Sequence, residues 1–431
     1  MPPVKTAAPA PGIADPVAAP HPLRGLIRLA PALSSRNFRL FWLGQLISVI
    51  GTSVQVVAEG WLIYDLTGST FWLGMVGFLA LIPVLPISLA GGVLIDRVPR
   101  RKLILATQVG LMAQAATFGL LALSGQLRLW HIIALYFVFG ALLAIDHPAR
   151  RAFLVELVGT EHLANAVALN ATVYNFSSLI GYALAGLLIA ALGAGATMVF
   201  NAATYLAPVV ALSLIRVRDV GADTARGAVG RPSFTSSIWE GAQSLLRQPA
   251  ILGAMTIMAV AGGMANPVFG MMPAFAQDVL GVDAIGLGVL MAAGALGSVL
   301  GTVAVARLGN WARGQTLVAA GLLLPLLVAL FAATRQLWVS GLVLVALGAV
   351  LLVVQSLAIT LVQLHIADRV RGRAMSIYSL LHAGSDTAGN MAVGTAAVVL
   401  GLPWALAAGA ALAALYVLGL RLWLPAMRGL E

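Results

Sequence analysis

Residues Gly91–Lys102 read GGVLIDRVPRRK, directly after a long apolar run. One acid and four bases fall between Asp96 and Lys102, in a chain of 431 residues of which 9% are charged and 60% hydrophobic. Soluble globular chains carry about 25% charged residues, so this chain lies in lipid almost throughout. Charge is expensive inside hydrocarbon, so a cluster of five charges marks a loop at a membrane face.

Working outward, apolar runs of about 20 residues predict twelve spans. Their limits are 38–63, 71–94, 103–124, 129–146, 165–191, 196–215, 250–276, 285–307, 314–333, 337–363, 376–399 and 403–424. The period-two pattern of a barrel is absent, which leaves an all-α membrane protein. With these limits, 23 of the 25 lysines and arginines fall on one side, and only Arg128 and Arg335 on the other. The positive-inside rule then predicts that both termini and the long middle loop are cytoplasmic. The net charge of +10 is thereby a topology signal and does not point to nucleic acid. There is no cysteine, which excludes disulfides and cysteine-based metal sites or nucleophiles.

The expected organisation follows. Residues 1–35 form a Pro/Ala-rich disordered tail with a short basic surface segment, 36–216 a first six-helix bundle, and 217–248 a cytoplasmic linker. Residues 249–425 form the second bundle and 426–431 a cytoplasmic tail. The halves match at a constant offset of 208: Trp130 with Trp338, Gly140 with Gly348, Ser177 with Ser385, Gly181 with Gly389, and Gly186 with Gly394. Repeated bundles with a pathway between them are the architecture of secondary transporters.

The opening stretch resembles the signature between spans 2 and 3 of the major facilitator superfamily. Gly92, Leu94, Asp96, Arg97, Arg100 and Arg101 fit it, while Pro99 stands where most members have glycine. The stretches RNFRLFWLGQLISVIGTSVQ (36–55), WLIYDLTGST (61–70) and DHPARRAFLVELVGTEHLANAVALN (146–170) narrow the resemblance. They are similar to the drug and siderophore exporter branch, which includes enterobactin exporters and macrolide efflux proteins. The resemblance implies two pseudo-symmetric six-helix bundles in a bacterial inner membrane, working as a monomer. It also implies that the charged loop nears the start of span 11 when the cytoplasmic side closes. Asp96 is then a latch at a helix N-terminus, with Arg97, Arg100 and Arg101 on acids or lipid headgroups. Asp146 and Arg150 are expected partners in that network. In span 5 the family's Gly-Pro pair is reduced to Gly181 and Gly186, with Tyr182 in place of the proline, which weakens the usual link to export.

Ionisable groups inside spans are costly and mark function by default. Two acids qualify, Glu59 late in span 1 and Asp386 within span 11. His382, Asp386 and Asn390 recur at four-residue spacing and share one helix face. A carboxylate beside an imidazole can take up and release a proton near neutral pH, as a proton-driven antiporter requires; the other reading is a polar cluster bracing a helix interface. Glu59 is the reserve proton carrier, or else an interfacial carboxylate wetted from outside. Span 7 is rich in methionine and phenylalanine, suited to an adaptable cavity or to ordinary packing. Met264, Asn266, Phe269, Gln355, Gln363, Asn390, Asn170 and Tyr174 are the substrate-cavity candidates.

No nucleotide-binding glycine loop, zinc-binding helix motif or nucleophile elbow is present, so an enzyme and an ATP-driven pump are both excluded. No cofactor or metal is expected. The leading reading is a proton-coupled exporter of small amphipathic molecules, with protons and membrane lipids as its other partners. A lysophospholipid-type transporter of the same fold is the alternative, and a non-transporting scaffold is a third.

Overall fold

A computed structural model describes residues 30–216, 245, 248–308 and 312–423, apart from the side chains of 85, 88–97, 368 and 369. Residues 1–29 of the predicted N-terminal tail, the C-terminal tail and nearly all of the linker lie outside the described residues. So do the surroundings of Gly92, Asp96 and Arg97. The end of the predicted disordered tail is instead ordered, with a 3-10 turn at Pro31–Ser34, Ala32 buried and Ser35 capping the first long helix.

The first half consists of α1 (Arg36–Thr67), α2 (Thr70–Arg97), α3 (Arg100–Leu123), α4 (Leu129–Val158), α5 (163–192) and α6 (194–214). The second consists of α7 (249–279), α8 (Ala284–Leu308), α9 (Arg313–Ala333), α10 (Leu337–His365), α11 (Asp368–Leu400) and α12 (Leu402–Trp423). The twelve predicted spans are thus twelve helical segments.

Three of them owe their form to particular residues. The 52 residues Leu163–Leu214 form a nearly continuous helical run. Unbroken they would reach roughly 78 Å, far beyond a hydrocarbon core of about 30 Å. Gly193, at φ 80° and ψ 159°, breaks the run into α5 and α6, a conformation that a side chain would oppose. Helix α7 is interrupted by π-helical turns at Met258–Gly262 and Phe275–Val279 and carries Pro267 and Pro273 between them. Each proline lacks the N–H that would continue the ladder. Helix α11 is long and more polar than α8, α9, α10 and α12.

The packing repeats with the sequence. Helix α2 lies on α4 and α8 on α10; Gly140 meets the α2 backbone at Ala80, and Gly348 meets the α8 backbone at Gly294. Gly181 faces Ser53 of α1, and its partner Gly389 faces Gly263 of α7. The two halves meet through α5 on α8 and through α11 on α2. A Cβ on Gly186 would stand 2.6 Å from the Ala284 carbonyl oxygen, and one on Gly394 would stand 2.6 Å from that of Thr70. Small residues at these crossings let backbones touch, which is how membrane helices gain packing energy. Trp130 and Trp338, also equivalent, are both exposed at the arginine-poor end, where indole rings suit the lipid headgroup region.

These contacts between halves cluster at the arginine-poor end. There Tyr64 of α1 donates a hydrogen bond to Asp278 at the end of α7. Thr70 Oγ1 of α2 donates to the Gly394 carbonyl of α11 at 2.9 Å. The molecule is therefore closed at this end.

Candidate functional site

Beneath that closure lies a cavity of about 260 Å³, lined from α1, α2, α4, α7, α8 and α11. Its walls are mainly apolar and aromatic: Val76, Tyr136, Phe139, Phe269, Leu287 and Met291 are among them. Both halves contribute, so any rocking of one half on the other reshapes it.

Glu59 is the carboxylate of this wall, with 4% of its surface exposed. Gln55, one turn earlier on α1, donates Nε2 to Glu59 Oε1 at 2.6 Å. Tyr136 of α4 donates its hydroxyl to Oε2 at 2.8 Å. Asn201 of α6 donates to Gln55 Oε1, and Gln55 Nε2 also reaches Gln114 Oε1 of α3 at 3.4 Å. The carboxylate is held by neutral donors, and each oxygen keeps a lone pair free.

The same face of α1 carries Gln45, Ser48, Thr52, Gln55 and Glu59, spaced alternately by three and four residues. At the arginine-rich end of this stripe, Gln45 Oε1 accepts from Arg150, and Gln45 Nε2 donates to the Tyr174 hydroxyl at 3.1 Å. Arg150 also pairs with Asp146, which is 2% exposed and accepts from Thr107 at 2.6 Å and Gln108 at 3.0 Å. Asp146, Arg150 and Tyr174 thus belong to one network of the first half, buried at Asp146 and exposed at Tyr174. In the middle of the stripe, Thr52 lies 3.3 Å from the Tyr205 hydroxyl.

A second polar group stands in the other half. His382 Nδ1 lies 3.3 Å from Asp386 Oδ2, and Asn266 of α7 donates to Asp386 Oδ1 at 2.5 Å. About 30% of each side chain of the His382–Asp386 pair is exposed. Asn390 donates to the Asp386 backbone carbonyl at 2.8 Å and also lines the cavity, so it joins the two sites. His382 and Gln355 line a separate open pocket with Tyr378.

Of the residues predicted from sequence, Glu59, Phe269 and Asn390 meet at the cavity, and Asn266 serves Asp386. Met264 lies against Gly409 of α12, Gln363 is exposed near the arginine-rich end of α10, and Asn170 is half-buried away from the cavity lining. Met255, Met258, Met271 and Met272 are fully buried packing residues. Arg100 pairs with Glu156, and Arg101 donates to the carbonyls of Leu212 and Ser213 at the C-terminus of α6. Both arginines therefore brace the first half. Sequence reasoning missed Gln55, Gln114, Tyr136 and Asn201; the three-and-four spacing along α1 was a signal for Gln55.

The chain matches the family model described as transmembrane secretion effector over residues 27–431. It is 21% identical over 277 residues to macrolide efflux protein A of Streptococcus pyogenes, covering 64% of this chain and 68% of that one. It is 24% identical over 173 residues to the staphyloferrin A transporter of Staphylococcus aureus, covering 40% of this chain and 44% of that one. The solved nucleoside transporter NupG has the same fold, with TM-score 0.67 at 12% identity, over 91% of this chain and 99% of that one. Two repeated bundles meeting at α2–α11 and α5–α8, with a cavity between them, are the major facilitator architecture. The chain belongs to the transmembrane secretion effector family of the major facilitator superfamily, and is a multi-pass membrane transporter.

Proposed function

We propose that the chain exports small amphipathic molecules, drug- or siderophore-like, across a bacterial cytoplasmic membrane by alternating access, with protons moving the other way. The arginine-rich end is cytoplasmic on this reading, so the closure at Tyr64–Asp278 and Thr70–Gly394 makes this the state that loads from inside. The observation that carries it is the cavity shared by both halves beneath that closure, with membrane-embedded carboxyl groups at Glu59 and Asp386. The relative named for macrolide efflux supports the direction, and the relative named as a staphyloferrin A transporter supports a siderophore-like substrate.

Asp386 carries the proton and His382 tunes it. Their partial exposure lets water reach the pair, and a coupling group must exchange protons with solvent in at least one state. Asn390 connects the pair to the cavity, so substrate and proton compete through one short path. Asp96 latches the cytoplasmic end in the opposite state. The molecule works as a monomer with both termini inside.

The test is proton-driven uptake into inverted vesicles at matched expression. Asp386→Asn abolishes uphill transport while leaving downhill equilibration, His382→Ala shifts the pH optimum with residual activity, and Glu59→Gln keeps its coupling. Full uphill activity in Asp386→Asn with none in Glu59→Gln moves the proton to α1. Full activity in both removes buried-carboxyl coupling altogether.

A further inference from the structure

We infer that the open pocket between α10 and α11 is a subsite for an uncharged, multiply hydroxylated ring, such as a glycosyl group, carried by an amphipathic substrate. This rests on the export reading and names the polar end of its substrate.

The pocket holds about 350 Å³, and its walls include Leu352, Gln355 and Ser356 of α10 and Tyr378, Ser379 and His382 of α11. Tyr378 is buried and donates its hydroxyl to the Gln355 backbone carbonyl at 3.1 Å, which ties the two walls together. The Gln355 amide and the hydroxyls of Ser356 and Ser379 make no hydrogen bond among the described residues. Polar groups at membrane depth need partners, and water supplies them while the pocket is empty. A ligand that reproduces those bonds can displace the water without loss. Amide and hydroxyl groups each donate and accept, and ligand hydroxyls match both roles.

The repeat decides the charge of the ligand. At the offset of 208, Asp146, Arg150, Arg151 and Tyr174 of the first half correspond to Val354, Ala358, Ile359 and His382. In the first half Arg150 pairs with Asp146 and reaches Gln45, which in turn donates to Tyr174. Val354 and Ala358 are fully buried, so the second half keeps the helices and loses the ion pair. What remains is a neutral opening. No lysine, arginine or acid is among the described residues that line it, and His382 already faces Asp386 at 3.3 Å. A charged ligand group would leave water here without gaining a counter-charge.

Position sets the rest of the molecule. Eight residues of α11, roughly 12 Å, separate His382 from Asn390, which lines the apolar cavity. One ligand can therefore seat its hydroxylated ring between α10 and α11 and its apolar part in the cavity.

The test is equilibrium binding to the purified full-length protein in lipid nanodiscs, corrected against protein-free nanodiscs and with no gradient imposed. The probes are 2-naphthyl β-glucoside, 2-ethoxynaphthalene, which lacks the sugar, and 2-naphthyl β-glucuronide, which adds a carboxylate. We expect the glucoside to bind at least ten-fold more tightly than ethoxynaphthalene and at least five-fold more tightly than the glucuronide. Gln355→Leu and Ser379→Ala each lose at least five-fold in glucoside affinity and stay within two-fold of wild type for ethoxynaphthalene, which shows that the cavity is intact. Equal wild-type affinity for glucoside and ethoxynaphthalene overturns the inference. So does a glucuronide bound as tightly as the glucoside, or glucoside affinity within two-fold of wild type in both variants. Glucoside binding as expected, with no gradient-driven transport in vesicles, overturns the export reading and leaves the subsite standing.

Discussion

Tyr64 and Asp278 join the two halves of the molecule by a hydrogen bond from phenol to carboxylate, at the end where the halves touch. Tyr64 is buried and Asp278 exposed, so the bond has solvent on one side and is worth about 1 kcal/mol. Tyr64→Phe removes it without changing the ring. The closed state then loses roughly five-fold in population against the open one. The chain has no cysteine, so Val76→Cys in the cavity wall is a clean reporter. Its modification by an impermeant thiol reagent from the arginine-poor side should rise about five-fold.

Gly186→Ala acts on the same closure from another direction. The new methyl meets the Ala284 carbonyl at 2.6 Å, too close for any Cβ contact, and backbone cannot swing aside as a side chain can. Overpacking of this kind costs about 1–3 kcal/mol. Gly394→Ala should behave likewise against Thr70. Both variants should increase labelling of Val76→Cys and depress uphill transport while keeping expression.

The repeat explains how this closure was legible. Gly186 and Gly394 stand 208 residues apart in sequence, and each faces the other half across an equivalent crossing. The span count, the sidedness of the arginines and the pairing of halves were visible for the same reason: lipid punishes misplaced charge and close helices demand small residues. The cavity was less legible. Glu59 and Asp386 stood out because charge is rare within spans. Tyr136, Gln114 and Asn201 come to Glu59 from α4, α3 and α6, and hydropathy says nothing about which face of a helix meets which neighbour. Met255, Met258, Met271 and Met272 are fully buried packing residues, whereas Phe269 of the same helix lines the cavity; composition could not separate the two.

Arg150→Ala should destabilise the first half. It leaves Asp146 buried with only Thr107 and Gln108 as partners, a loss of about 3–5 kcal/mol for a broken buried pair. Arg150→Lys keeps the charge but gives up the forked reach to both Asp146 and Gln45, and should lose less. Thermal unfolding in detergent should rank them wild type, Lys, Ala.

Asp96→Asn should weaken closure of the arginine-rich end by about 0.3–2 kcal/mol, the worth of a carboxylate at a helix N-terminus. Labelling of a cysteine at Tyr174, which is 40% exposed, should rise from the arginine-rich side. Unchanged labelling on both faces would leave Asp96 as a topology charge.

The polar stripe on α1 has a mechanical meaning. From Gln45 to Glu59 is fourteen residues, roughly 21 Å of rigid helix. One end grips the Asp146–Arg150 pair through Gln45, and the other presents the carboxylate to the cavity. Both centres sit on the one unbroken helix Arg36–Thr67, so a roll of that helix turns them together. Any such roll re-aims the Glu59 carboxylate in the cavity and the Gln45 amide on Arg150 in the same step.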